Sequence, residues 1–355
     1  MSSTAIKQEH KHKLRNNKKN QNKKIKTVLG GIFFIFISAG IGIAGRYSIT
    51  PENKNVEIIK AKIDPIHEVK KKDEDLSILF VGDIMLSRGV DYYIKKFDDI
   101  NHPFEKISDF TKSASLTFGN FENPVSENGK DVGSKYSFRT NPKYIEGLLG
   151  AGFDIVSIAN NHIWDWGFDA MSDTISLLEQ NGIIPVGAGR TEYEANEPKI
   201  INLKNTRIAF LAYTNLYPKS LIAKEDKGGV SNGSLENILF SVREAKSKSD
   251  IVVVSFHWGN EYEQTPQDWQ TQEAHKIIDA GADLFIGHHP HVIQPVENYH
   301  GKWIAYSLGN FIFDQNFSEA TRSGLMLKAN IKNSKLIDIQ TTKIKFTDTF
   351  QPYIP

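Results

Sequence analysis

The chain has 355 residues, 39% of them hydrophobic and 24% charged, which suffices for one large core or two small ones and excludes a disordered polymer. Its formal charge of +1 conceals an asymmetry, because residues 1–26 carry nine Lys or Arg against a single acid, Glu9, while the rest holds 34 basic and 41 acidic groups. Cysteine is absent, so disulfides and thiolate ligands are excluded; a bound metal must take imidazole, carboxylate or amide oxygen, a donor set that favours manganese, iron or oxygen-rich zinc.

The basic arm runs directly into Thr27–Gly45, nineteen residues without a charge. As a helix this run would span ~29 Å at ~1.5 Å per residue, close to a hydrocarbon core of ~30 Å. Lys and Arg crowd before it and only Arg46 follows closely, which predicts a cytoplasmic N-terminus and an exterior remainder. The arm therefore reads as the flank of a single-pass anchor, not as a nucleic-acid-binding segment. A cleaved signal peptide ending near Ala44 is the alternative, although apolar regions of that kind usually span ~7–15 residues. Residues 46–76 mix both charge signs with Pro51 and Pro65 and hold no sustained period, as an extracellular stalk would.

From Ser77 onward, strand-like and helix-like stretches alternate. The runs SILFVG, FDIVSIAN, RIAFLAYT, DIVVVSFHWG and ADLFIGHH are rich in β-branched and aromatic residues and stop at Gly, Asn or His. Helical patterns cover 141–150, 170–181, 235–247 and 265–280. Such alternation predicts an α/β domain over residues 77–348, with sites gathering beyond strand C-termini. Residues 323–346 read as two strands joined by Lys332-Asn333-Ser334-Lys335, an edge hairpin, and residues 349–355 as a tail.

Seven polar residues follow these apolar runs: Asp83, Glu122, Asn161, His162, His257, His289 and His291. The densest cluster is GHHPHV, three imidazoles within four positions stiffened by Pro290, a pattern better suited to metal ligation than to packing. In ANNHIWDWG, Asp165 stands three residues after His162, where it could hold the second ring nitrogen, as metal-site histidines require. Asp83 and Asp165 are equally suited to capping a following helix, and a plain turn explains the Asn and Pro around Glu122. In SLGNFIFDQ, Asn310 falls either on the rim of a site or in a hairpin turn.

The segments VGDIML, GNFENPVS, ANNHIWDWG, HWGNEY, GHHPHVIQ and SLGNFIFDQ, in that order across residues 77–316, resemble the signature set of the CapA family of poly-γ-glutamate capsule synthesis proteins. The resemblance implies a metallophosphoesterase-like fold, a double β-sheet sandwich flanked by helices, here preceded by the transmembrane helix. It implies a divalent metal (Mn, Zn or Fe) on Asp83, Glu122, Asn161, His257, His289 and His291, with His162 as proton donor, oriented by Asp165. The Asp-x-His motif of metallophosphoesterases is Asp83-Ile84-Met85 here, and Glu122 stands where an aspartate is usual, so a single-metal or vestigial site is expected. The implied partners are a membrane-bound polyglutamate synthetase, small membrane proteins and the poly-γ-glutamate polymer. No P-loop ending in Lys-Ser/Thr is present, so energy for polymerisation comes from another subunit. The alternative is an exported metal-dependent hydrolase, a phosphoesterase or amidase, acting on the cell envelope.

Overall fold

The computed structural model describes residues 75–355; the predicted basic arm, the anchor and all but the end of the stalk lie outside the described residues. No helix among the described residues is long and apolar enough to cross a membrane. In chain order the strands are β1 (Leu76–Ile84), β2 (Leu116–Phe121), β3 (Ile155–Ser157), β4 (Ile184–Val186), β5 (Ala188–Gly189), β6 (Lys199–Leu203), β7 (Thr206–Thr214) and β8 (Gly229–Val230), then β9 (Ile251–His257), β10 (Leu284–His288), β11 (Val296–Tyr299), β12 (Lys302–Ala305), β13 (Asn310–Ile312), β14 (Ser323–Lys332), β15 (Lys335–Phe346) and β16 (Pro352–Tyr353). The helices are α1 (Arg88–Phe97), α2 (Ser108–Thr111), α3 (Tyr144–Gly150), α4 (Gly167–Gln180), α5 (Glu192–Asn196), α6 (Leu235–Lys248) and α7 (Asp268–Asp279).

The strands form two large mixed sheets. One runs β16-β15-β14-β1-β2-β3-β4, with β13 parallel beside the end of β1; the other runs β11-β12-β10-β9-β7-β6. The period-two alternation of the strands sorts their side chains into layers. Along β7, Ile208, Phe210 and Ala212 enter a core shared with Phe80, Phe118, Ile155 and Leu327 of the other sheet. The intervening Ala209, Leu211 and Tyr213 pack on Ile238 and Val242 of α6 and Ala274 and Ile277 of α7. On the far side, Leu79 and Val81 of β1 meet Val90 and Ile94 of α1, Leu148 of α3 and Ile175 of α4. The result is the expected helix-flanked double sheet, stitched across its middle by Phe118 and Phe210, stacked with centroids 5.8 Å apart.

The four helical patterns fall on α3, α4, α6 and α7; α6 begins at Leu235 as expected, and the other three begin three residues away from the expected start. Helix α7 starts at Asp268 because Gln267 and Gln270 form a reciprocal capping box. The hairpin β14–β15 turns through Asn333 and Ser334 at φ 52° and 59°, the left-handed pair a tight two-residue turn demands. Beyond it, Pro352 and Tyr353, within the predicted tail, pair with β15 as an outer strand.

One irregularity decides where the chemistry goes. Phe80 pairs with Phe118, but Asp83 pairs with Asn120, so β1 holds one residue more than β2 over this stretch. The extra residue flips Asp83 off the helix-facing side used by Leu79 and Val81 onto the inter-sheet side, and returns Ile84 to the helix side. Gly82 lies within this bulge, and a Cβ on it would come 1.9 Å from the Gly309 carbonyl oxygen. Only glycine lets β13 approach closely enough for the Asp83 N–H to donate to that carbonyl at 3.0 Å.

Candidate metal centre

At the C-terminal ends of β1, β2, β9 and β10 the inter-sheet core turns from apolar to polar. Asp83 presents two different oxygens. Oδ1 accepts from Asn120 Nδ2 at 2.8 Å, while Oδ2 lies 3.1 Å from His291 Nδ1 and accepts from the His289 N–H at 3.3 Å. His289 and His291 take φ of 97° and 57°, a left-handed backbone that costs side-chain-bearing residues about 1–3 kcal/mol each. That strain turns both rings back toward the carboxylates on either side of Pro290.

Glu122 lies at the centre. Its Oε1 is 3.4 Å from His257 Nε2 and 3.9 Å from His291 Nε2, and the residue is 0% exposed. Burial, reinforced by the charge of Asp83, pushes its carboxyl well above the usual range. Burial would likewise raise Asp83, but His288 and His291 beside it prevail and hold it well below. Burial, then the neighbouring imidazoles, pushes His257 well down, and His289 down to about 3, so both rings are neutral at physiological pH.

Neither carboxylate oxygen of Glu122 has a hydrogen-bond partner, nor does His289 Nδ1. A buried carboxylate without a hydrogen-bond donor, facing the neutral rings of His257 and His289, is the arrangement a divalent cation satisfies. The donors form two groups, Glu122/His257/His289 and Asp83/Glu122/His291, each with its ligand atoms within 4.8 Å of one another. Glu122 belongs to both. Asn161 Oδ1, 2.7 Å from His257 Nε2, adds an amide oxygen to the first group. The second gains nothing from Met85, which is buried in the helix-facing core with its sulphur accepting from the Ser87 N–H and hydroxyl.

His162 stands beside this centre, stacked on Phe138 at 3.9 Å, and is one of the neighbours that push His289 down. Its Nδ1 is 2.8 Å from Asp165 Oδ2. Asp165 also accepts from the Ser134 hydroxyl and the Phe138 N–H, both at 2.8 Å, and the N-cap position of α4 is taken by Trp166 instead. All eight residues singled out in the sequence thus lie in or beside one cluster. Around them are three further asparagines, of which Asn310, weighed above between a site rim and a hairpin turn, stands beside the site. Asn120 contacts both Asp83 and His257, Asn160 braces the Asn161-His162 turn through the N–H groups of His162 and Ile163, and Asn310 holds His291 Nδ1 at 3.0 Å. Asn120, next to last in β2, and Asn310, first in β13, both pair with Asp83, a relation invisible without the sheet order.

Fold and site together define an α/β double-sheet protein with carboxylate–imidazole groups able to hold a metal ion. Residues 77–315 match the family described as bacterial capsule synthesis protein PGA_cap, and the chain belongs to that family, as the CapA-like motifs implied. It is 36% identical to the PGA biosynthesis protein CapA of Bacillus subtilis (strain 168) over 277 residues, 77% of this chain and 72% of that protein. To the capsule biosynthesis protein CapA of Bacillus anthracis it is 31% identical over 264 residues, 72% of this chain and 64% of the relative. A solved structure of a hypothetical protein from Thermus thermophilus has a similar fold, with TM-score 0.50 at 15% identity, over 76% of this chain and 99% of that one.

Proposed function

We propose that this chain is a membrane-anchored component of the machinery that makes and exports a poly-γ-glutamate capsule, with residues 77–348 outside the membrane and a metallophosphoesterase-like metal centre within them. The observation that carries this reading is the family match over residues 77–315, joined to relatives named for capsule and PGA biosynthesis. The anchor over 27–45 and the stalk over 46–76 tether the domain beside a membrane-bound synthetase and its small partner proteins. Asp83, Glu122, Asn161, His257, His289 and His291 provide the two donor groups of that centre, with Glu122 common to both.

An anionic polymer needs cationic ground on an acidic body, since residues 75–355 carry 27 basic and 35 acidic groups. A cavity of about 440 Å³ supplies it, with Arg322, Lys343 and Lys345 beside Phe346 and Tyr353, and Glu319 as the one acid of its lining. The acids paired there, Asp348 with Arg322 and Glu319 with Lys345, are more than 90% exposed and so neutralise little. The cavity joins the metal centre through the backbone, because Thr321, next to Arg322, accepts from the Asn310 amide at 3.0 Å.

Complementation tests the reading. In a strain lacking this chain, the full chain restores surface polymer, the chain lacking residues 1–46 does not, and Lys343→Glu/Lys345→Glu gives roughly tenfold less. Full restoration by the truncated chain would overturn the anchored-component reading.

The His162–Asp165 pair favours a second reading, an exported metal-dependent phosphoesterase or amidase acting on a cell-envelope substrate. A divalent ion in the centre supplies Lewis acidity to a phosphoryl or carbonyl oxygen. Asp165 accepts from His162 Nδ1–H and so orients the ring, and the protonated ring gives its Nε2 proton to the leaving group. This reading expects His162→Ala to lower turnover by about 10²–10⁴-fold with metal content unchanged. Metal lost together with activity would make His162 a structural group instead.

A further inference from the structure

His288 belongs to neither donor group nor to the His162–Asp165 pair, yet it is 0% exposed and neither ring nitrogen has a hydrogen-bond partner. Its place follows from strand pairing. It ends β10 in register with His257 of β9, and the alternation that sends Leu284 and Ile286 into the inter-sheet core sends His288 to the same side. An apolar side chain would fill that position, as it does two and four residues earlier, without the cost of burying a polar ring.

What the ring meets there is the back of Asp83. His288 Nδ1 lies 3.4 Å from Asp83 Oδ1, the oxygen that already accepts from Asn120, whereas Oδ2 faces His291. Asp83 also lacks the help that a ligand two residues later would give, because Met85 directs its sulphur to Ser87. Ligating carboxylates are held by such outer hydrogen bonds, and losing one typically weakens a metal about 10–100-fold.

We propose that His288 is a positioning residue of the metal centre: its Nδ1, 3.4 Å from Asp83 Oδ1, donates to that oxygen when Oδ2 engages an ion, so that Oδ2 alone is presented to the Asp83/Glu122/His291 group. The assignment rests on the metal reading of the site. It selects one ion of the two, because His288 touches Asp83 and neither His289 nor Glu122 by any hydrogen bond or ion pair among the described residues.

The test is a titration of the metal-free full chain with Mn²⁺ by calorimetry, for the wild type, His288→Leu, His288→Asn and the same changes in a His291→Ala background. Leucine fills the space without a donor; the asparagine amide stands where Nδ1 stood. Expected is a loss of about 10–100-fold in the affinity of the Asp83-group ion in His288→Leu, substantial recovery in His288→Asn, and no further effect of His288→Leu once His291 is removed. Melting curves in excess chelator separate this from misfolding. Equal weakening of both ions, unchanged affinity, or loss that asparagine does not repair in a folded protein overturns the proposal. A wild-type chain that binds no Mn²⁺ overturns the metal reading itself.

Discussion

Glu122→Gln is expected to raise the melting temperature of the metal-free protein and to abolish the further rise that manganese or zinc produces. The two effects have opposite signs and one cause. Glu122 is buried without a donor, and burial followed by the charge of Asp83 lifts its folded pKa well above the ordinary 4.5. An acid shifted upward contributes its full stability below 4.5 and loses it as pH rises through the folded value, so at neutral pH the metal-free protein carries the penalty. Glutamine removes that penalty, by an amount of about 1–3 kcal/mol. It also removes the charge shared by both donor groups, and with it the metal. In the wild type, free metal a thousandfold above its Kd adds about 4 kcal/mol, on the order of 10 °C for a domain of this size.

The histidines supply the opposite limb. His257 and His289 are pushed below 6.5, His289 to about 3, so their contribution is present above 6.5 and lost as pH falls toward those values. Calorimetric melting in chelator from pH 4 to 8 should show the acid-side loss in both proteins and the loss on raising pH above 4.5 only in the wild type. A Glu122→Gln protein that melts below wild type at pH 7.5 without metal would contradict this electrostatic account.

Single-histidine variants should separate the two donor groups. The group Glu122/His257/His289, completed by Asn161, offers four protein ligands, whereas Asp83/Glu122/His291 offers three. The four-ligand group is expected to hold the tighter ion. His289→Ala then loses the tight ion and keeps the weak one, His291→Ala does the reverse, and Glu122→Ala loses both. Each alanine should weaken its own ion by at least about 100-fold, since a direct ligand matters more than the outer contacts worth 10–100-fold. Identical losses in His289→Ala and His291→Ala, read by elemental analysis after loading, would mean one shared ion.

Much of this arrangement can be read from the chain because each ligand lies at or close to the end of a strand. Runs such as VVVSFH and ADLFIGHH announce both the sheet and the point where it stops, and the helix-flanked double sheet follows from their alternation with amphipathic segments. The rest depends on three-dimensional accidents that leave no local pattern. The extra residue around Gly82 that turns Asp83 inward is a mismatch between two strands, not a property of either. The left-handed backbone at His289 and His291 violates the preference of both residues and is imposed by the surrounding structure. Reading Asp83-Ile84-Met85 as one missing ligand gives the expectation of a single-metal or vestigial site; what the sequence does not reveal is that Glu122 lies between two donor groups, a relation set by the approach of β2 to β9 and β10. His288 is passed over for a similar reason, since in a string of three histidines only the inter-sheet parity of β10 separates it from the ligands.

Metal content of the purified full chain, measured by elemental analysis beside the His289→Ala/His291→Ala double variant, tests the central claim most directly. The account predicts at least one tightly held divalent ion per chain in the wild type after loading with manganese or zinc, and none in a double variant that melts cooperatively in chelator. A well-folded wild-type chain that takes up neither metal would contradict it and leave the cluster as a buried polar network without an ion.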